Sequence, residues 1–198
     1  RPTISPSVSA NPLDAAPAFS ANPWARAAGG KNSAKEGIRS MAIEQVKEYF
    51  RQFGREGDVM EFPVSSATVE LAAQALGTEP GRIAKTISLY GEEGECLLIL
   101  AAGDRKIDNA KFKQAFHKKA KMLSFEDVEP MTGHAPGGVC PFANPAGCRV
   151  YLDESLKAYD TVYPACGSAN SAIALSCGEL AEYSKAQGWV DVCKGKES

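Results

Sequence analysis

From Ile43 to Phe53 the apolar residues Ile43, Val46, Tyr49, Phe50 and Phe53 recur at helical spacing and share one face. Gly54 and Gly57 end that helix. Val59 to Phe62 reads as a short strand stopped by Pro63. A second helix follows, with Val69, Ala72, Ala73 and Leu76 inward and Gly77 as its C-terminal stop. Ile83 to Tyr90 and Cys96 to Ala102 read as two strands, joined by a hairpin at Gly91-Glu92-Glu93-Gly94. Asp108 is placed to cap a helix running to about His117, and Lys119 to Leu123 fits a brief strand. Ser124 and Asp127 have weak capping-box spacing for one further helical turn, ended by Gly133. Strands are expected at Arg149 to Leu152, Thr161 to Tyr163 and Ala172 to Leu175. Ser176 and Glu179 then open a last helix closed by Gly188, and Trp189 to Cys193 forms a final strand. Short strands interleaved with helices, a hairpin and no regular βαβ repeat predict an α+β fold.

The first forty residues follow none of these periods. They are rich in Ala, Pro, Ser and Asn, hold two acids (Asp14 and Glu36), and carry prolines at positions 2, 6, 12, 17 and 23 that forbid regular structure. Amphipathic patterning starts at Met41, which looks like a natural start. Residues 1–40 are therefore expected to be a disordered leader of vector origin, with an organelle presequence as the rival reading, since the segment is acid-poor and carries Arg26 and Arg39. Residues 41–198 form the expected domain.

Composition narrows the class. Of 198 residues, 44% are hydrophobic and 23% charged, enough for an ordinary core. A net charge of −2 rules out a generic polyanion binder, so any nucleic-acid contact must use a local basic patch. Six cysteines at irregular spacing (96, 140, 148, 166, 177 and 193) are expected as mostly reduced, buried thiols in a cytoplasmic protein. The longest apolar run, Cys96 to Ala102, is strand-sized and far short of the roughly 18 residues of a membrane span.

Four features could carry chemistry. Alternation puts Lys85 on one strand face with Ile83 and Ile87, and Ala84, Thr86 and Ser88 on the other. A half-buried ammonium there can orient a carbonyl or phosphate, or act as a base if its pKa falls; the alternative is an edge lysine reaching water. The loop Gly137-Gly138-Val139-Cys140-Pro141-Phe142 lets backbone approach a ligand closely, or is a plain turn. His134 and Cys140 invite a thiol-nucleophile reading, but no local cysteine-hydrolase signature accompanies them, and the Cys/His spacings suit no metal. Arg105, Lys106, Lys111, Lys113, Lys118 and Lys121 make the strongest basic cluster, a candidate grip on a phosphate backbone or an ordinary solvated face.

Three segments taken in order resemble the YbaK/EbsC family, freestanding relatives of the editing (insertion) domain of bacterial prolyl-tRNA synthetase. The first is Ile83-Ala84-Lys85-Thr86-Ile87, with Ser66-Ala67-Thr68-Val69 and the Ala-rich helix upstream. The second holds a Gly-x-x-x-Pro spacing from Gly137 to Pro141. The third is the loop at Gly167 and Ser168 with Ala172-Ile173-Ala174-Leu175 and the helix beyond. The likeness covers residues 41–195. It implies a mixed, barrel-like sheet flanked by helices, and deacylation of mischarged aminoacyl-tRNA without metal or cofactor. It also implies aminoacyl-tRNA as partner, with an aminoacyl-tRNA synthetase as a further candidate. By the same likeness Lys85 holds the aminoacyl-adenosine end. Thr86, Gly137, Gly138, Val139, Cys140, Pro141, Gly167 and Ser168 form the substrate site, and the loop backbone positions the scissile carbonyl for attack by water. The chain departs from the branch that clears cysteine from proline tRNA in having Ala172 where an acid is expected, and Ser168-Ala169-Asn170 where a basic pair is expected. A small amino acid (Ala, Cys, Ser or Thr) is the expected substrate. Two other outcomes remain open: a binding module that kept the fold without the chemistry, and a regulatory protein that senses a free amino acid or its adenylate.

Overall fold

The computed structural model describes residues 33–92 and 94–195, with side chains from Met41 onward. Residues 1–32, most of the expected leader, lie outside the described residues. The first helix, α1 (Ser33–Arg51), begins eight residues before Met41. The other elements are β1 (Met60–Glu61), α2 (Val69–Leu76), β2 (Ile83–Tyr90), β3 (Cys96–Ala102), β4 (Arg105–Ile107), α3 (Asn109–Phe116), α4 (Phe125–Thr132), β5 (Cys148–Asp153), β6 (Tyr163–Pro164), β7 (Ser171–Ala172), α5 (Cys177–Tyr183), β8 (Trp189–Val190) and β9 (Cys193–Gly195).

The organising strand is β3, whose seven residues are all buried. It pairs antiparallel with β2, from Ala84↔Ala102 to Tyr90↔Cys96, and parallel with β5, from Cys96↔Cys148 to Leu100↔Leu152. β6 and β8 join the outer edges in parallel, giving the order β6-β2-β3-β5-β8. Pairing runs on past β6, where Val162 and Leu175 bridge and Ile173 N donates to Pro164 O, toward the ribbon β1–β7. This is the mixed α+β sheet flanked by helices that the sequence leads one to expect. Alternation along β3 splits the core. Leu98, Leu100 and Ala102 pack with Val46 and Phe50 of α1, Phe142, and Leu180 of α5. Leu97, Ile99 and Ala101 pack with Leu89, Phe112 of α3, and Val192.

The helix signals hold where caps are strong. Thr68 accepts from Leu71 N and Gly77 takes the left-handed conformation at the ends of α2. Asp108 accepts from Ala110 N and Lys111 N to start α3, and Ser176 with Glu179 forms a full capping box on α5. The strands expected at 161–163 and 172–175 shorten to β6 and β7, and other details differ as well. The expected strand at 119–123 shrinks to one bridge, Leu89↔Met122, because it meets the β2 edge over only three residues. α4 runs two turns rather than one, with Pro130 inside it. α5 stops at Tyr183, since Lys185 turns left-handed (φ 51°). The final strand breaks into β8 and β9 because Val192 N leaves the ladder to donate to the Asp153 carboxylate at 2.9 Å. β4, which pairs with β9, has no counterpart in the sequence pattern.

Leu98 is fully buried at the middle of the central strand. Its replacement by Ala leaves a cavity, so urea denaturation of Leu98→Ala is expected to show a loss of about 2–5 kcal/mol.

Candidate active site

β2 follows a 3-10 turn at Pro80–Arg82 and carries both faces of its alternating pattern into the site. Ile87 and Leu89 belong to the α3 side of the core and Ala84 to the α1 side, so Lys85 and Thr86 point to opposite faces. The Lys85 ammonium donates to the carbonyl oxygens of Gly103, at 3.2 Å, and of Arg105, around the turn between β3 and β4. The half-buried ammonium is thus held by backbone dipoles at the edge of the sheet.

A cavity of about 250 Å³ opens between β2, the segment leading into α2, and the loop before β5. Its wall includes Lys85, Thr86, Gly137 and Val139 of the expected site, with Ser66, Ala67, Thr68 and Val69 from the first resembling segment. Sequence reasoning missed Ser88, Val128, Pro136, Tyr163 and Ala165 as lining residues; none carries a motif, and each arrives through tertiary packing. Ala172 also lines the cavity, so the position where an acid was expected presents a methyl group. Among the lining residues there is no carboxylate, imidazole or thiol.

Gly138, Cys140, Pro141, Gly167 and Ser168 stand behind this wall rather than in it. They build its frame. A Cβ on Gly138 would lie 2.8 Å from Ser168 Cα and 2.9 Å from Gly167 O; one on Gly167 would lie 2.8 Å from Ala42 O of α1. The two loops are therefore stacked backbone on backbone against the first helix. Ser168 is buried, its hydroxyl 2.8 Å from Ser171 Oγ and 3.0 Å from Asn170 Oδ1, and Asn170 Nδ2 donates to Phe62 O at 2.8 Å.

Cys140 and His134 do meet, with Sγ 3.4 Å from Nε2. The pair is closed off: both residues are buried, and His134 Nε2 donates to Phe142 O at 2.8 Å. Burial pushes the Cys140 thiol up to about 12, far from a reactive thiolate. The same burial lowers the His134 pKa, the Phe142 contact opposing it less strongly. The pair is a packing feature of the loop. Among the described residues no three His, Cys, Asp or Glu side chains come together as a ligand set, and no helix is long and apolar enough to cross a membrane.

Several members of the basic cluster are engaged by neighbouring groups. Lys111 pairs with Asp191 at 2.7 Å and reaches Cys193 O; Lys118 lies 3.8 Å from Glu92; Lys121 sits over the Tyr90 ring at 4.8 Å. Arg105 Nε is 3.4 Å from Asp104, and Lys106 lies beside it on β4, whereas Lys113 is exposed on α3. α3 ends at Phe116 and His117 turns left-handed, so Lys118 lies beyond the helix that carries Lys111 and Lys113.

This geometry meets its relatives in sequence and in structure. Residues 64–183 match the aminoacyl-tRNA editing domain family, and the chain belongs to that family, in its YbaK/EbsC branch. It is 53% identical over 157 residues to the uncharacterised protein YwhH of Bacillus subtilis, covering 79% of this chain and all of that one. It is 30% identical over 137 residues to EbsC of Enterococcus faecalis, named as a candidate Cys-tRNA(Pro)/Cys-tRNA(Cys) deacylase, covering 68% of this chain and 79% of EbsC. A crystal structure described as a candidate trans-editing enzyme for prolyl-tRNA synthetase superimposes with a TM-score of 0.70 at 30% identity, over 78% of this chain and 98% of its own.

Two outcomes follow from the frame. Gly138→Ala must push the loops apart, with an expected stability loss of about 1–3 kcal/mol in chemical denaturation. His134 has its pKa lowered in the fold, so the unfolded chain binds the extra proton first. Stability contributed by neutral His134 is complete above the ordinary histidine value of about 6.5 and is lost as pH falls below it. Denaturation midpoints between pH 7.5 and pH 5 are expected to fall for the parent and to fall less for His134→Gln.

Proposed function

We propose that the chain hydrolyses the ester bond of mischarged aminoacyl-tRNA in trans, acting on a small amino acid such as alanine, cysteine, serine or threonine. One observation carries this reading: a small cavity walled by Lys85, Thr86, Gly137 and short side chains, with no acid, imidazole or thiol among its lining. Such a site suits a substrate that is already activated. An aminoacyl ester needs an oriented water and stabilisation of the developing oxyanion, and preorganised backbone N–H groups supply the second. In this scheme the Gly137–Pro141 loop offers main-chain donors to the scissile carbonyl through Gly137 and Val139, its members in the wall. Lys85 contributes positive potential at the wall and holds the terminal adenosine end. Water attacks, assisted by the free hydroxyl of the terminal ribose. Family membership and the deacylase names of the relatives support the reaction class.

The size limit comes from the volume of about 250 Å³ and the bulk of Val69, Leu76, Ile83 and Tyr163, while Ala67, Ala165 and Ala172 leave room for a short side chain. A pocket of this kind separates small apolar side chains by only about 10- to 200-fold per methylene, so more than one substrate is expected. The basic residues on β4 and α3, with Lys118 and Lys121, are the proposed contacts for tRNA phosphates. A cytoplasmic site of action follows from that substrate.

A second reading, a binding module without turnover, draws on the Lys85 ammonium's bonds to the carbonyls of Gly103 and Arg105, which tie it to the protein's own backbone. Incubation with alanyl-, cysteinyl-, seryl- and threonyl-tRNA, beside Lys85→Ala, separates the two. Loss of at least one aminoacyl group with the parent, slowed about 10²–10³-fold in the variant, is expected, a magnitude typical for removing an electrostatic contact in an active site. Survival of every ester at the spontaneous rate, with salt-dependent tRNA binding retained, would establish the binding module instead. Equal rates in both proteins would leave hydrolysis standing and remove Lys85 from it.

A further inference from the structure

The cavity is lined from both faces of β2: Ile83 and Lys85 from one, Ala84, Thr86 and Ser88 from the other. A strand can show both faces to one cavity only where its edge is open. The hydrogen-bond phase locates the opening. Gly91 N donates to Glu95 O, so the odd-numbered residues of β2 exchange bonds with β3 and the even-numbered ones point their N–H and C=O outward. At the start of the strand that outer edge is taken by β6, through Ile83↔Tyr163 and Ala84↔Pro164. Near its end the edge is taken by the 121–123 segment: Tyr90 N donates to Lys121 O and Leu123 N to Ser88 O. Between the two covers lies a single outward-facing residue, Thr86. Among the described residues its main-chain N–H and C=O have no ladder partner. Its Oγ1 is likewise buried without a partner.

A buried hydroxyl without a partner, beside a main-chain donor and acceptor left open to a cavity, costs free energy unless a ligand completes it. The gap runs from the Thr86 N–H to the Ser88 N–H, since the 121–123 segment meets Ser88 through its carbonyl, and at Thr86 it presents the pattern that one residue of an antiparallel strand would complete: a donor to meet a carbonyl and an acceptor to meet an N–H. An aminoacyl group has that pattern, with an α-ammonium and a carbonyl on either side of one Cα. We propose that the aminoacyl group of the substrate docks as a one-residue strand on the open edge of β2. Its α-ammonium donates to Thr86 C=O and Thr86 Oγ1, and its carbonyl accepts from Thr86 N–H. Recognition then uses what every α-amino acid shares, leaving the choice of side chain to the small apolar walls. The proposal rests on the deacylase reading for the identity of the ligand and makes Thr86 the residue that reads the α-amino group, leaving Lys85 to the adenosine end.

The probes are two stable adenosine derivatives: 3′-alanylamido-3′-deoxyadenosine, and the 3′-propionylamido compound that lacks the α-amino group. Amide hydrogen exchange on the full chain, read by NMR, gives the free state first. Thr86 is expected to exchange faster than Lys85 and Ile87, whose amides bond to β3. Saturation with the alanyl compound is expected to slow Thr86 by tenfold or more. The propionyl compound is expected to bind about tenfold to a hundredfold more weakly, the loss of a charged hydrogen bond. A Thr86 amide already as protected as its neighbours overturns the proposal. So does a Thr86 amide unmoved by the alanyl compound at its highest soluble concentration, or equal affinity for the two compounds. The deacylation panel is scored separately: esters that survive while Thr86 is protected overturn the enzyme reading and leave this one standing, and rapid hydrolysis with Thr86 unmoved does the reverse.

Discussion

Everything in this fold is hung on one strand that never sees water. β3 is buried along all seven residues, so both of its faces must find apolar partners and both of its edges must find backbone partners. The first demand brings α1 and α5 to one side and α3 to the other. The second fixes the register of β2 and β5. β2 is then satisfied along its inner edge and depends on short, separate pieces of chain to cover its outer one. A strand of two residues and a single bridge cover its ends, and the middle is left to the cavity.

The site's polarity follows from that arrangement. Its polar side chains are hydroxyls and one ammonium that is itself bound to carbonyls. Such groups need no proton bookkeeping and cost little to reorganise, which is what an activated ester asks of an enzyme. The thiol and imidazole that attract attention in the sequence are sealed behind the loop, where burial keeps the thiol protonated and the imidazole neutral.

Local chemistry was legible, and long-range pairing was not. The capping residues Asp108 and Ser176 mark helix starts because a side chain three residues or fewer away decides them. The β2–β3 hairpin is legible because its turn is local. The parallel union of β3 with β5 joins Cys96 to Cys148 across a stretch that contains two helices, and no periodicity encodes it. The same limit governs the site. Lys85, Thr86 and Gly137 were identified through a family likeness and do line one cavity; Ser88, Tyr163 and Ala165 join them only through the fold. Gly138 and Gly167 were expected to touch substrate. Their close approach to each other explains the glycines without it, since a Cβ on either would collide with backbone.

That close approach divides the labour between frame and wall. The frame is backbone pressed on backbone, from Gly138 through Gly167 to α1, and a mutation there breaks the packing of three segments at once. The wall includes alanines at 67, 165 and 172 whose methyl groups face the cavity. Selection can therefore exchange Ala67, Ala165 or Ala172 for another small residue and redraw the substrate range while the architecture stays constant. Closely related chains with this frame are thus free to diverge in what they accept through one or two substitutions, and a shared fold among them is a poor guide to a shared amino acid.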